Sequence, residues 1–158
     1  MTIAAGDSCP DVTFEDGDGI ERSLIKYRSG RPLVVCFYPK DDTPGCTTEA
    51  KAFSEHGAAF AALGVAVLGV SKDSREKHAK FTAKHGLTVA LATDATGALC
   101  EAFGVWGERS MYGKPYMGIE RATFLVDAGG RVTHVWRKVN AAGHVEAVLD
   151  AARETTGG

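Results

Sequence analysis

The sequence predicts one α/β domain over residues 1–158, a three-layer α/β/α sandwich around a mixed central sheet. Three observations predict this class: two apolar strands flank a helix, a hairpin pattern follows late in the chain, and a helix closes it. A chain of 158 residues that is 44% hydrophobic is long enough and apolar enough to bury a core of its own.

The first half of the chain predicts a parallel pair of strands. Residues 33–39 (LVVCFYP) and 65–71 (VAVLGVS) are continuous apolar runs, as expected of strands buried on both faces. Between them, residues 46–63 carry Phe53, Phe60 and Leu63 at near-helical spacing. A strand, a helix and a strand within about forty residues form a βαβ unit, so the two strands should be parallel.

The remaining elements are predicted from local signals. Residues 73–86 read as a helix capped by Asp73 or Ser74 and ended by Gly86. The other elements are a hairpin around residues 16–19, a short strand (TVALATD), a short helix (GALCEAF), a long loop over 104–120, a hairpin (ATFLVDAGGRVTHVWR) and a helix over 141–154. This order is compatible with a thioredoxin-like fold.

Composition excludes several classes of function. The net charge of −2, the pI near 6.2 and the lack of a basic stripe argue against nucleic-acid binding. The absence of a basic, apolar leader and of about 18 consecutive apolar residues predicts a cytoplasmic protein that does not bind membranes. Four irregularly spaced cysteines without a C-x-x-C pair argue against a zinc ribbon, a dithiol site and a disulfide scaffold.

Cys46 has the setting of a reactive thiol. Pro44 and Gly45 turn the chain out of the preceding strand, so the cysteine should lie in the first turn of a helix. Free amides and the helix dipole stabilise a thiolate there, and with a nearby cation the pKa of a cysteine falls from about 8.5 to about 3.5–7.5. Thr43 could accept a hydrogen bond from a substrate and donate one to the sulfur, while Pro39, which has no amide proton, could shield it from water.

Each of these features also has an ordinary structural explanation. Buried cysteines are usually inert, Thr43 suits a helix cap, and Pro39 suits a strand end. Cys36 lies inside an apolar strand and is predicted to be a core residue, and Cys9 is given no role. The combination of features at Cys46, rather than any one of them, favours a functional site.

Pro39, Thr43 and Cys46 form P-x-x-x-T-x-x-C, which resembles the active-site motif of peroxiredoxins. The longer stretch FYPKDDTPGCTTE resembles the bacterioferritin comigratory protein class, also called peroxiredoxin Q. Downstream, FGVWGERSMYGKPYMGIERATFLVD resembles the long loop and following strand of that class, and it supplies Arg121 at the position of the family's active-site arginine. The resemblance covers nearly the whole chain.

The resemblance implies a role for each matching residue. Cys46 would be the peroxidatic nucleophile, which becomes a sulfenic acid, and Arg121 would hold the thiolate and polarise the peroxide. Thr43 and the amides near Gly45 would bind the peroxide oxygens. No metal and no organic cofactor is expected. Glu49 matches the family pattern as well, and both helix capping and orientation of Arg121 remain open for it.

The sequence departs from the family at both usual positions of a resolving cysteine. Lys51 occupies the first, and Thr82 and Ala83 lie near the second. Cys100 is the remaining candidate, on a helix that the family fold places across the sheet. The expectation is therefore a one-cysteine peroxidase without an internal resolving cysteine, recycled by thioredoxin or by glutathione with glutaredoxin.

Two other functions compete with a thiol peroxidase that reduces hydrogen peroxide and organic hydroperoxides. A redox sensor or relay would pass the oxidation of Cys46 to a partner protein. A thioredoxin-like structural or chaperone module is the third alternative, since both usual resolving positions are empty. The expected assembly is a monomer or a weak homodimer. The long-loop side chains could form an apolar collar for organic hydroperoxides, cover the core or meet a second subunit; they are Trp106, Met111, Tyr112, Tyr116 and Met117.

Overall fold

A computed structural model describes residues 3–139 and 143–156 of the chain. Seven strands form one sheet in the order β2-β1-β5-β4-β3-β8-β9, and two more form a separate ribbon. The strands are β1 (Thr13–Glu15), β2 (Glu21–Ser23), β3 (Leu33–Phe37), β4 (Ala66–Ser71), β5 (Ala90–Thr93), β6 (Trp106–Met111), β7 (Lys114–Ile119), β8 (Ala122–Val126) and β9 (Val132–Trp136). The helices are α1 (Leu24–Arg28), α2 (Pro44–Glu55), α3 (Gly57–Ala62), α4 (Arg75–His85), α5 (Ala98–Ala102) and α6 (His144–Thr156).

The mixed sheet confirms the predicted fold class. β3, β4 and β5 run parallel, whereas β8 and β9 extend the sheet antiparallel on one side and β1 and β2 do so on the other. β3 is buried along its whole length because helices cover both of its faces. Its alternate residues therefore enter two different core layers.

The sheet separates the helices into two layers. Leu33, Val35 and Phe37 point to the side of α1 and α5, where they pack with Phe103 and Phe124. Val34 and Cys36 point to the opposite side, where α2, α3 and α6 pack. Tyr38 continues that second side toward α2 and α4. Any group on α5 is thus divided from α2 by the full thickness of the sheet.

The predicted helix over residues 46–63 is in fact two helices. α2 begins at Pro44, whose fixed φ suits the first helical position, and its N-cap is Thr43. The helix ends at Glu55, because His56 leaves helical geometry (φ −92°, ψ 7°) and α3 begins at Gly57. The prediction missed this break because the apolar spacing continues across it.

The predicted long loop over residues 104–120 is wrong in form. β6 and β7 pair antiparallel in register from Trp106–Ile119 to Met111–Lys114. Tyr112 and Gly113 both have positive φ (53° and 77°), which is the backbone of a tight two-residue hairpin turn. The Tyr-Gly pair was the available sequence signal for this turn. The prediction missed it because the glycines and aromatic residues on either side do not alternate between apolar and polar as strands usually do.

The ends of the chain follow the predictions in part. The hairpin of β1 and β2 and the hairpin of β8 and β9 are confirmed. α1, a single turn capped by Ser23, was not predicted. α6 runs from His144 to Thr156, and the predicted helix start at residue 141 lies outside the described residues. Among the helices of the described part, none is long and apolar enough to cross a membrane.

Candidate active site

Cys46 occupies the third position of α2, one turn from the Thr43 cap. At this position the first amides of the helix have no partner within it, so the field there is positive. The side chain is only 2% exposed and packs with Tyr38, Ala50 and Phe81. The helix start therefore holds the sulfur in a nearly dry environment, where electrostatic contacts act strongly.

Arg121 brings a positive charge to this sulfur from another part of the chain. It directly precedes β8, the strand that pairs antiparallel with β3, so the sheet places it beside the start of α2. Its Nη2 donates to Cys46 Sγ at 3.0 Å. Burial alone would lower the pKa of Arg121, but the charge and hydrogen bond of Cys46, aided by Glu49, outweigh it and raise that pKa. The guanidinium is a fixed cation aimed at the sulfur.

Glu49 is fully buried and faces Arg121, which decides between the two roles left open for it. Its Oε1 accepts from Arg121 Nη1 at 3.2 Å and from the Cys36 thiol at 3.1 Å. Burial raises the pKa of Glu49, and the hydrogen bonds to Cys36 and Arg121 act against that rise. The pair orients the guanidinium fork so that its second nitrogen meets Cys46. Glu49 thus braces the arginine instead of capping the helix.

Gly45 and Thr43 shape the space in front of the sulfur. A Cβ on Gly45 would lie 3.2 Å from Arg121 Nη2, so a larger residue would crowd the guanidinium. The Thr43 hydroxyl donates to the Lys40 carbonyl at 2.9 Å, which corrects the prediction that it donates to Cys46. Because that proton is committed, the hydroxyl oxygen offers lone pairs only and can accept a hydrogen bond from a substrate.

An open groove of about 470 Å³ lies beside this turn. Pro39 and Thr43 form one wall, and Trp106, Tyr116 and Met117 of the β6–β7 hairpin form the other. Lys72 lies over the Trp106 ring, with Nζ 4.4 Å from the ring centroid. Tyr112, at the hairpin tip, is 96% exposed. Of the residues predicted as a possible collar, Trp106, Tyr116 and Met117 therefore line the groove and Tyr112 does not.

The other three cysteines lie in the core as reduced thiols. Burial raises the pKa of Cys9 to about 11, and it also raises the pKa of Cys36 well above its usual value, with Glu49 adding to the rise. Cys100 is completely buried on α5, in the core layer across the sheet from Cys46. Burial raises its pKa as well, followed by the hydrogen bond and charge of Asp94. Cys46 is the cysteine that has a cation against its sulfur.

The structure adds one residue behind the site that the sequence reasoning missed. His144, the first residue of α6, contacts Thr123 Oγ1 at 2.8 Å through Nε2, and the same nitrogen lies 4.0 Å from Glu49 Oε2. Burial, then the charge of Arg121, lowers the pKa of His144 to about 4, so it is neutral at pH 7. No local sequence pattern predicts a role for this histidine, because it reaches Glu49 only through the packing of α6 on the paired strands.

Comparison with known proteins identifies the family. Residues 5–135 match the model of the AhpC/TSA family. The chain is 46% identical to peroxiredoxin Bcp of Bacillus subtilis over 98% of both chains. It is 40% identical to peroxiredoxin Bcp of Escherichia coli K12 over 96% of this chain and 97% of that one.

Solved structures give the same result. A structure of the Xanthomonas campestris bacterioferritin comigratory protein, from work on its alkyl peroxide reduction, superimposes with a TM-score of 0.86 at 41% identity. It covers 95% of this chain and 99% of that one. A mutant of Xylella fastidiosa PrxQ gives a TM-score of 0.90 at 36% identity over 98% of both chains. The chain belongs to the AhpC/TSA family and is a peroxiredoxin of the Bcp/PrxQ class, an enzyme that acts as a thiol-dependent peroxidase.

Proposed function

We propose that Cys46 is the peroxidatic cysteine and that it works in a one-cysteine cycle on organic hydroperoxides and hydrogen peroxide. The observation that carries this proposal is the 3.0 Å contact between Arg121 Nη2 and Cys46 Sγ at the start of a helix. A cation and free helix amides around one buried sulfur favour the thiolate, the form that attacks peroxides.

The first step forms an S–O bond and breaks the O–O bond. The Cys46 thiolate attacks the terminal oxygen of R–O–O–H, the electron pair of the O–O bond leaves with R–O⁻, and that alkoxide takes a proton from solvent. Thr43 Oγ1 accepts the hydrogen bond of the hydroperoxide, since its own proton is held by Lys40. Arg121 and the amides near Gly45 stabilise the charge as it moves along the S–O–O line. Cys46 is left as a sulfenic acid.

Recycling then requires a thiol from outside the chain. A disulfide needs Cα atoms within about 7 Å, and Cys100 lies across the sheet from α2. An external thiol therefore condenses with the sulfenic acid, releasing water and leaving a mixed disulfide that a second thiol reduces. Thioredoxin, or glutathione with glutaredoxin, supplies these thiols. Because the sulfenic acid waits for them, it is open to a second peroxide and to oxidation to sulfinic acid.

The groove beside Thr43 supports organic hydroperoxides as substrates. Its walls carry Trp106, Tyr116 and Met117, so an apolar R group can leave water while the peroxide end reaches the turn before Cys46. Alkyl peroxide reduction is the activity named for the X. campestris relative. We assign the same substrate class to this chain.

The setting of the enzyme is part of the same proposal. The chain folds as a single domain with no metal or organic cofactor, and it works in the cytoplasm as a monomer or weak homodimer. Four cysteines with no disulfide among them suit a reducing compartment. Cell fractionation and sedimentation of the purified protein test these points.

The test is peroxide consumption with thioredoxin or with glutathione and glutaredoxin as electron donor. Cys46→Ser should abolish turnover, and Cys9→Ser, a buried thiol remote from the groove, should retain it. Steady turnover also separates a peroxidase from a redox relay, which would be oxidised once and then stop. Substantial turnover by the Cys46→Ser variant would refute the proposal.

A further inference from the structure

Two sets of contacts fasten the turn that carries Pro39 and Thr43 to helix α4. The first is buried: the Asp41 carboxylate contacts His78 Nδ1 at 2.6 Å, and both side chains are 5% exposed. The second is at the surface, where Asp42 accepts from Lys84 Nζ at 2.7 Å and contacts His85 Nε2 at 2.8 Å. Two consecutive aspartates thus bind the same helix.

The buried contact is a hydrogen bond between an imidazole ring and a carboxyl group. His78 Nδ1 faces the Asp41 carboxylate, and Nε2 lies 3.0 Å from the Ala92 carbonyl oxygen. The carbonyl oxygen can only accept, so Nε2 donates to it, and one proton lies between Nδ1 and the Asp41 carboxyl group. The other carboxyl oxygen of Asp41 accepts from the Tyr38 hydroxyl at 2.6 Å. The buried polar atoms of both side chains therefore all have partners.

The backbone of the turn depends on the same contacts. The Asp41 amide donates to Asp73 Oδ2 at 2.8 Å. Asp42 has a left-handed backbone (φ 61°), a conformation that is unfavourable for a residue with a side chain and needs support from its surroundings. The next residue is Thr43, whose hydroxyl donates to the carbonyl of Lys40, the residue that precedes the two aspartates. The position of Thr43 thus follows from how Asp41 and Asp42 are held.

From these contacts we infer that Asp41 and His78 are positioning residues for peroxide reduction. They act through Thr43: their buried hydrogen bond holds the peroxide-binding turn in its reactive shape against α4. In the structure neither Asp41 nor His78 hydrogen-bonds to Cys46 or Arg121. The contact between Arg121 and the Cys46 sulfur is direct and involves no residue of the turn. The inference rests on the proposed role of Thr43. It predicts that variants of Asp41 or His78 react more slowly with peroxide while their Cys46 thiolate stays as reactive as in the wild type.

The experiment measures two rates on the same variants. Single-turnover oxidation by tert-butyl hydroperoxide requires both the Cys46 thiolate and a correctly placed Thr43, whereas alkylation by iodoacetamide requires only the thiolate. His78→Leu should slow oxidation by about ten- to a hundredfold, the order of loss expected for a reacting group displaced by about 1 Å. Its alkylation rate should stay close to that of the wild type.

Three companion variants separate positioning from loss of stability and from failure of the parent proposal. Asp41→Ala removes the carboxyl group that contacts His78 and should give the same split if His78→Leu does not fold. Phe60→Leu truncates a buried side chain on α3, in another core cluster, and should alter neither rate. Oxidation by peroxide that persists in Cys46→Ser would instead overturn the proposed function itself.

Nitrogen NMR of the His78 ring gives an independent readout at neutral pH. A ring N–H that exchanges slowly with solvent in the wild type, and in Phe60→Leu, supports the buried contacts of His78. The inference is overturned if that N–H exchanges freely, if oxidation is unchanged in His78→Leu and Asp41→Ala, or if oxidation and alkylation fall together in them.

Discussion

Replacing Arg121 by alanine removes the only hydrogen bond recorded to the Cys46 sulfur in the described part of the chain. Arg121 Nη2 lies 3.0 Å from Sγ, and its side chain is 17% exposed, so solvent screens the contact only in part. A hydrogen bond to a charged group contributes about 1.5–3 kcal/mol. At about 1.4 kcal/mol for each factor of ten, the rate constant for oxidation by peroxide should fall about ten- to a hundredfold.

The same substitution also affects stability, and the experiment must separate the two effects. Glu49 would lose its charge partner inside the protein, a loss that costs about 3–5 kcal/mol of unfolding free energy when one member of a buried pair is removed. Glu49→Gln removes the negative charge of the same ion pair, but its amide oxygen can still accept from Arg121 and keep the guanidinium beside the sulfur. It is therefore the matched control for stability.

The assay is stopped-flow oxidation of the reduced enzyme, with alkylation by iodoacetamide as a parallel measure of the thiolate. Temperatures well below the melting point of every variant keep unfolded protein out of the signal. Arg121→Ala should lower both rates, and Glu49→Gln should lower them much less. The reasoning is refuted if Arg121→Ala reacts like the wild type, or if Glu49→Gln loses as much rate as Arg121→Ala.

Three further predictions follow from the same site. Because the pKa of His144 falls from 6.5 to about 4 in the folded protein, only the unfolded chain takes up that proton between these values. The unfolding free energy should therefore drop by about 3 kcal/mol as the pH falls from about 6.5 to 4, and His144→Gln should flatten this dependence in urea titrations; parallel curves would contradict it. Thr43→Val should slow oxidation by peroxide without slowing alkylation, whereas Thr43→Ser should retain both; equal rates in the two variants would exclude the hydroxyl. Gly45→Ala should displace Arg121 and slow alkylation, and an unchanged alkylation rate would show that the guanidinium tolerates a methyl group.

The sequence was most informative where a local pattern has one physical meaning. The apolar run through β3, the Pro-Gly turn and the following helix predict both the βαβ unit and the place of Cys46, and the motif adds Thr43 and Arg121. The contact between Arg121 and Cys46 joins residues 75 positions apart, so the resemblance indicated it and spacing did not.

The features that the sequence did not predict depend on tertiary packing. Asp41 and His78 read as a polar loop residue and a residue in a basic helix, and only the docking of α4 on the turn makes them a pair. The same holds for His144, which the packing of α6 on the sheet brings to Thr123. The β6–β7 ribbon was missed for a different reason. Its sequence lacks the alternation of a half-buried strand because much of the ribbon is exposed.

The most direct test of the central claim is the intact mass of the reduced enzyme after one equivalent of peroxide, followed by peptide mapping. The account predicts a gain of one oxygen, located on Cys46, in the wild type and equally in Cys100→Ser. With glutathione present, a mixed disulfide on Cys46 should replace that oxygen. A loss of two hydrogens that disappears in Cys100→Ser or in Cys36→Ser would contradict the account, because an internal cysteine would then resolve the sulfenic acid.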